Sequence, residues 1–282
     1  MSLLYGKPIA DRLLETLKER LKESLVTPGL AVLLVGDDLE SQKYIGLKEE
    51  RAKEVGMYFE KHILRKDISC EEIFDTIEQL NHDERIHGIL VQLPLPPGFP
   101  TDEIIAHIDP KKDVDGFHEE TITKFLLGDC EACPVFPRAI AELLRETRVP
   151  FHGEKAVAIV NSELLGKVIT FTLSLEGLEA EYVLSSVGRE GLSEKTRTAK
   201  VIVTACGIPD LLDETMVSSE AIVIDGGNVH VGEKVQGDVK REEVEKKVAF
   251  LSPVPGGVGP VTVAMLLTRA AEAALVSVDK GA

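Results

Sequence analysis

Residues 30–56 read LAVLLVGDDLESQKYIGLKEERAKEVG, and two kinds of local order meet inside them. Leu30 to Val35 is an unbroken apolar run of strand length, the pattern of a parallel strand covered on both faces. Gly36-Asp37-Asp38 turns the chain, and helix-forming residues follow. A start at Ser41 inside an acidic turn, and a stop at Gly56 after Lys53, bound the expected helix. Tyr44 and Lys48 are four apart, so on that helix they project from one side, a turn from each other. A turn that leaves a buried strand and enters a helix is where α/β proteins hold ligands. The residues alone leave two readings of the pair: a packing tyrosine with a solvated lysine, or two groups facing a ligand.

The alternation continues on both sides of this stretch. Residues 7–24 form an amphipathic helix through Ile9, Leu13, Leu14, Leu17 and Leu21, broken by Pro28-Gly29. A strand is expected over 58–64, then a helix capped by Ser69 with Glu72 completing a capping box. Residues 86–93, IHGILVQL, form a further buried strand that runs into Pro94-Leu95-Pro96-Pro97. Thr101 is expected to cap a short helix through Ile108, ahead of a charged loop over 109–116. A connecting helix over 137–148 leads to a boundary at 150–153, and a second series begins. It has strands over 155–160, 180–184, 201–205 and 221–224, a helix over 164–175, and a final helix opened by Thr262. This order predicts two three-layer α/β/α domains, the second Rossmann-like, with a cleft between them. The expected division is 1–136 and 137–260, with a C-terminal helix over 261–277 packing back on the first domain.

Composition excludes several classes of function. The 282 residues include 48 acidic and 32 basic side chains, a net charge of −16 that repels nucleic acid and anionic lipid. Neither a nucleic-acid partner nor a membrane partner is expected. The first 20 residues turn charged and helical at once, unlike a signal peptide, and no apolar run approaching a membrane span stands out. A soluble, cytoplasmic protein is the expectation. Cys70, Cys130, Cys133 and Cys206 are then free thiols. Cys130 and Cys133 have CxxC spacing, but no second pair or His-rich segment follows, so no metal site is expected.

Four further strings carry polar chemistry at structurally exposed points. Gln92, flanked by Val91 and Leu93, sits at the carboxyl end of a buried strand, where an unpaired amide costs roughly 1–3 kcal/mol. Asp113-Val114-Asp115-Gly116 places two carboxylates just outside the same sheet, too few for a calcium loop. Residues 253–260, PVPGGVGP, alternate rigid and permissive positions before a helix, a pattern a plain connector does not need. Pro255, Gly256, Gly257 and Val258 are its candidate ligand contacts. After the strand that ends at Val160 come Asn161, Ser162 and Gly166, with no G-x-G-x-x-G, which taken alone is a poor cofactor signal.

Together these strings resemble the bifunctional methylenetetrahydrofolate dehydrogenase/methenyltetrahydrofolate cyclohydrolase family. The YxxxK helix, VQLPLP, KDVDGF and PVPGGVGPVTVAMLL occur in that family's order and spacing, across essentially the whole chain. The resemblance implies that Lys48 is the catalytic group and that Gln92 orients it. It further implies that Tyr44 stacks along the folate's aminobenzoyl part, that Asp115 hydrogen-bonds the pterin, and that residues 255–259 line the substrate cleft. The implied activity is oxidation of 5,10-methylenetetrahydrofolate followed by hydrolysis to 10-formyltetrahydrofolate. NADP is the implied cofactor, with NAD as the alternative, and the implied assembly is a homodimer. The cofactor set becomes Val160, Asn161, Ser162, Gly166, Ser185 and Asn228.

The second domain departs from the family's pattern. Val160-Asn161-Ser162 replaces Gly-Arg-Ser, Val168 replaces a proline, and Asn228 replaces an isoleucine. Loss of the arginine weakens the case for a 2′-phosphate. Two rival readings follow: a cyclohydrolase with a degenerate dinucleotide site, and a non-catalytic folate- or nucleotide-binding protein. The second leaves Lys48 and Gln92 without a purpose.

Overall fold

The computed structural model describes residues 2–232 and 234–279. The chain opens with β1 (Ser2–Leu3), α1 (Gly6–Lys22), β2 (Gly29–Val35) and α2 (Leu39–Glu54). Then come β3 (Tyr58–Leu64), α3 (Cys70–His82), β4 (Gly88–Val91), α4 (Thr101–Ala106) and α5 (Glu119–Leu126). The next run is α6 (Val135–Glu146), β5 (Lys155–Val160), α7 (Glu163–Leu175), β6 (Glu179–Leu184), α8 (Gly188–Thr196) and β7 (Val201–Ala205). It closes with β8 (Ile222–Asp225), β9 (Val229–Val231), β10 (Lys234–Gln236), α9 (Arg241–Val244), β11 (Phe250–Ser252) and α10 (Val258–Asp279).

The chain divides into two α/β units. One holds residues 11–135 together with the segment from 263 onward. Its sheet has three parallel strands in the order β3-β2-β4. Every residue of β2 is buried, as its unbroken apolar run requires. One face of this sheet packs Ala31, Leu33, Ile89 and Val91 against Ile73 and Ile77 of α3 and Ile104 of α4. The other unit holds the first ten residues with 136–262. Its six strands are all parallel, in the order β1-β11-β8-β7-β5-β6. From β5 the chain passes first to β6 on one side and then to β7 on the other. That reversal makes a topological switch point at the carboxyl ends of β5 and β7. The second domain is therefore Rossmann-like.

Several expectations are corrected. The expected first domain takes in the amino terminus, but β1 pairs in parallel with β11 and joins the six-stranded sheet of the other unit. Helix α2 is capped by Asp38, whose Oδ2 accepts the Ser41 N–H at 2.8 Å; Ser41 itself is buried in the first turn. Thr101 is the first residue of α4 rather than its cap, and α4 ends at Ala106. Helix α10 begins at Val258, four residues before Thr262, because Pro260 fits a first turn whose N–H groups have no helical partner. Residues 258–276 are also long and apolar enough to cross a membrane by length and composition, against the expectation of no such run. Over half of that window is buried in the protein, through residues such as Ala264, Leu267, Ala270 and Ala274.

Candidate active site

Lys48 reaches its place through the pitch of α2. Ser41, Ile45 and Ala52 are the buried residues of that helix, and Lys48 falls between Ile45 and Ala52 on the same face. The helix ends in a Schellman arrangement: Gly56 (φ +83°) donates to the Lys53 carbonyl at 3.1 Å, and Met57 to that of Ala52 at 2.9 Å. Cap and stop together fix which side chains face inward. Tyr44, one turn before Lys48, is half-buried.

Gln92 follows the last residue of β4 and extends the ladder, its N–H donating to the Leu33 carbonyl at 2.8 Å. Its side-chain Nε2 donates to the Leu93 carbonyl at 2.8 Å, so Oε1 is turned the other way, where it accepts from Lys48 Nζ at 2.7 Å. An amide held at its nitrogen in this way presents a fixed acceptor to the amine. Val91 is buried in the strand, Leu93 is exposed, and the Leu93–Pro94 peptide is cis.

The loop bearing Asp115 is fastened to the same sheet. Ile89 of β4 donates to the Lys112 carbonyl at 2.7 Å, and the buried carboxylate of Asp113 accepts the N–H groups of Gly116 and His118, each at 2.9 Å. The Asp115 carbonyl accepts the Val135 N–H at 3.1 Å. Burial lowers the Lys48 ammonium to a pKa of about 8, opposed by the charge of Asp115. Burial raises the Asp115 carboxyl to about 6, helped by Asp113 and opposed by Lys48 and Arg269. Two groups that can hold or release a proton near neutrality thus share one electrostatic environment.

Asp113 and Arg269 were not among the candidates from sequence. The 113–116 string puts two carboxylates in one loop, and only the fold shows that Asp113 is the one that anchors it. Arg269 of α10 donates to the Cys133 carbonyl at 3.0 Å and acts on Asp115 through its charge. Its sequence signal is weak, a cation in a mostly apolar, alanine-rich helix that also carries Glu272.

Residues 255–258 belong to the other unit, where they are tightly held. Gly6 donates to the Gly256 carbonyl at 2.8 Å, Gly257 to the Pro253 carbonyl at 2.7 Å, and Gly256 has φ +105°. The Val254–Pro255 peptide is cis, and Val258 opens α10.

The cofactor candidates gather at the carboxyl edge of the six-stranded sheet. Val160 closes β5, Ser185 follows β6, and Asn228 lies between β8 and β9. Asn161 Nδ2 donates to the Cys206 carbonyl at 3.5 Å, linking the ends of β5 and β7 across the switch point. Ser162 caps α7 by accepting the Leu165 N–H at 3.3 Å, and the first amides of that helix open onto this edge. Gly166 serves packing: a Cβ there would lie 2.5 Å from the Tyr182 ring. This donor set fits a dinucleotide. None of Val160, Asn161, Ser162, Gly166, Ser185 and Asn228 is basic, and the neighbouring Lys167 lies 3.8 Å from Glu163. Among the described residues, no cluster of His, Cys, Asp and Glu could hold a metal ion.

The chain is similar to known proteins over nearly its whole length. Residues 4–115 match the family model of the tetrahydrofolate dehydrogenase/cyclohydrolase catalytic domain, and residues 134–278 that of its NAD(P)-binding domain. The bifunctional protein FolD of Chlamydia caviae is 40% identical over 274 residues, covering 94% of this chain and 96% of that protein. The crystal structure of the Campylobacter jejuni bifunctional enzyme FolD, a methylenetetrahydrofolate dehydrogenase/cyclohydrolase, is 37% identical. It superposes with a TM-score of 0.90, covering 98% of this chain and 99% of that one. A Trypanosoma brucei FolD structure, in complex with NADP and an inhibitor, is 28% identical with a TM-score of 0.92 over 98% of each chain. With both domain models matched and the Lys48–Gln92 pair in contact, this chain belongs to the tetrahydrofolate dehydrogenase/cyclohydrolase family.

Proposed function

We propose that Lys48, Gln92, Asp115 and Tyr44 carry both steps of a bifunctional one-carbon folate enzyme. The first step oxidises 5,10-methylenetetrahydrofolate to the 5,10-methenyl cation, and the second hydrolyses that cation to 10-formyltetrahydrofolate. The observation that carries this reading is the 2.7 Å contact between Lys48 Nζ and Gln92 Oε1, made by an amine that burial has brought to a pKa of about 8.

A nicotinamide ring, when bound, accepts the hydride that leaves the one-carbon bridge. The protein contributes geometry and charge to that step, since no covalent attack is needed. Hydrolysis asks for one group that gives and takes a proton near neutrality, and an amine at about 8 meets that need. Gln92 keeps the amine aimed, its own nitrogen being held by the Leu93 carbonyl. A cationic methenyl-folate beside Lys48 disfavours the ammonium further. Asp115 hydrogen-bonds the pterin, and Tyr44 stacks along the aminobenzoyl part. Val91 and Leu93 flank the bridge, and residues 255–258 complete the folate contacts.

The proposed cofactor is NADP, with NAD as its competitor, because the turn after β5 lacks an arginine to meet a 2′-phosphate. The enzyme is further proposed to work as a homodimer in the cytoplasm. One assay tests the chemistry: reduction of NADP and of NAD by methylenetetrahydrofolate, beside hydrolysis of methenyl-folate, for wild type and Lys48→Met. Wild type should reduce at least one cofactor. Lys48→Met should lose hydrolysis by about 10²-fold or more while keeping its far-UV circular dichroism. Near-wild-type hydrolysis in that variant removes Lys48 from the mechanism.

A further inference from the structure

Behind the carboxyl edge of the six-stranded sheet lie two buried acids with no part in the folate chemistry. Asp238 is fully buried, and its Oδ2 and Oδ1 accept the N–H groups of Cys206 and Ile208, each at 2.7 Å. Asp225, the last residue of β8, stands behind it at 3% exposure. Its Oδ1 accepts from Gly227 at 2.9 Å and from the Asp238 N–H at 3.0 Å, and its Oδ2 from Val239 at 3.1 Å. The Asp225 N–H in turn donates to Ser252 Oγ at 2.9 Å. The space is full: a Cβ at Gly237 would lie 1.9 Å from Asp225 Oδ2, and one at Gly227 within 2.5 Å of the Asp238 carboxylate.

Stability alone is a poor account of this arrangement. Among the described residues neither carboxylate forms an ion pair, and burial raises both above the ordinary carboxylate range. Buried charge held only by neutral donors costs free energy that an apolar core would not. What Asp238 does achieve is a defined backbone. By taking the amides on either side of Gly207, which has φ +67°, it holds residues 206–208 in a tight concave turn immediately after β7. The Cys206 carbonyl of that turn accepts from Asn161, so the turn forms one wall of the β5/β7 switch point.

We propose that Asp238 is a positioning residue for the nicotinamide dinucleotide, holding the 206–208 turn in its binding shape before the nucleotide arrives. This rests on the reading of the β5/β7 edge as the cofactor site. Such preorganisation removes an ordering cost from binding and so acts on affinity rather than on the chemical step. Asp238→Asn replaces one acceptor oxygen with a donor facing a backbone N–H, which frees one side of the turn.

The test is titration of NADPH and NADH fluorescence with wild type, Asp238→Asn and Asp238→Ala, beside two rate measurements. Both variants should weaken nucleotide binding about tenfold or more and raise the cofactor KM in proportion. The dehydrogenase kcat should change less than about threefold, and hydrolysis of methenyl-folate without nucleotide less than about twofold. Unchanged affinity in a folded variant overturns the proposal, as does an equal loss of hydrolysis, which marks a general defect. If the variants do not fold, amide hydrogen exchange of the nucleotide-free wild type decides. Slow exchange at Cys206 and Ile208 supports a preformed turn, and fast exchange that slows only with NADPH overturns it. A wild type that binds neither nucleotide removes the site itself, an outcome distinct from wild-type binding with indifferent variants.

Discussion

Asp115 concentrates the conflict between stability and function into one side chain. Its carboxyl is held at about 6 by burial and by Asp113, more than Lys48 and Arg269 offset. Between the ordinary carboxylate range and pH 6 the folded chain therefore binds a proton that the unfolded chain has released. Stability contributed at this position falls as pH rises through that window, and above about pH 6 the whole cost is present. Asp115→Asn removes the titration. It should raise unfolding free energy by on the order of 1–3 kcal/mol at pH 8 and by almost nothing below about pH 4. Urea denaturation across that range reads the difference, and a gain that does not vary with pH would contradict the assignment. On the proposed role of Asp115 at the pterin, folate binding should weaken in the same variant, because an acceptor-only group becomes a mixed donor and acceptor. At this scale a helix face and a strand end made Lys48 and Gln92 visible as candidates, and the family resemblance rather than the local pattern joined them. Arg269 was not visible, because its nearness to Asp115 depends on a helix that starts over 140 residues later in the chain.

At the scale of elements, long periodic segments were legible and short ones were not. Strand β2 and the capping box of α3 follow from residues within a few positions of one another. Helix α5 lacks a usual start signal, since its cap is His118, accepting the Glu120 N–H, rather than a Ser, Thr, Asp or Asn. Helix α8, GREGLSEKT, has two glycines and little apolar stripe, and β1, β9, β10 and β11 are two or three residues long. Strands that short carry no period of their own and exist because a neighbour supplies the ladder. The start of α1 shows how an element can set a distant loop. Gly6 is its first residue, its N–H holds the Gly256 carbonyl, and a Cβ there would meet the Gly257 oxygen at 1.9 Å. Backbone cannot yield as a side-chain tip can. Gly6→Ala should cost about 1–3 kcal/mol of stability and displace residues 255–258. Thermal unfolding checks the cost, and faster amide hydrogen exchange at residues 256–258 checks the displacement.

Over the whole molecule, a three-stranded and a six-stranded parallel sheet each anchor one unit. Each has its own core, and the cofactor candidates all belong to the six-stranded unit. A ligand that binds only the native state, at about 100 times its Kd, adds about 2.7 kcal/mol to the stability of what it holds together. Saturating NADPH should therefore slow hydrogen exchange in β5, β7 and β8 far more than in β2, β3 and β4. Equal slowing in both sheets would mean that the two units open as one. The sequence by itself determined the alternating α/β order and the Rossmann-like second half. Each of these rests on a period, a cap or a composition that can be read within a short window or summed over the chain. Only tertiary structure decided that residues 2–3 lie beside 250–251, that Asp113 anchors its loop, and that Asp225 and Asp238 brace the edge of the larger sheet. Those facts depend on which remote backbone amides reach a given oxygen, and hydrogen bonds between distant positions leave no periodic trace in the order of residues.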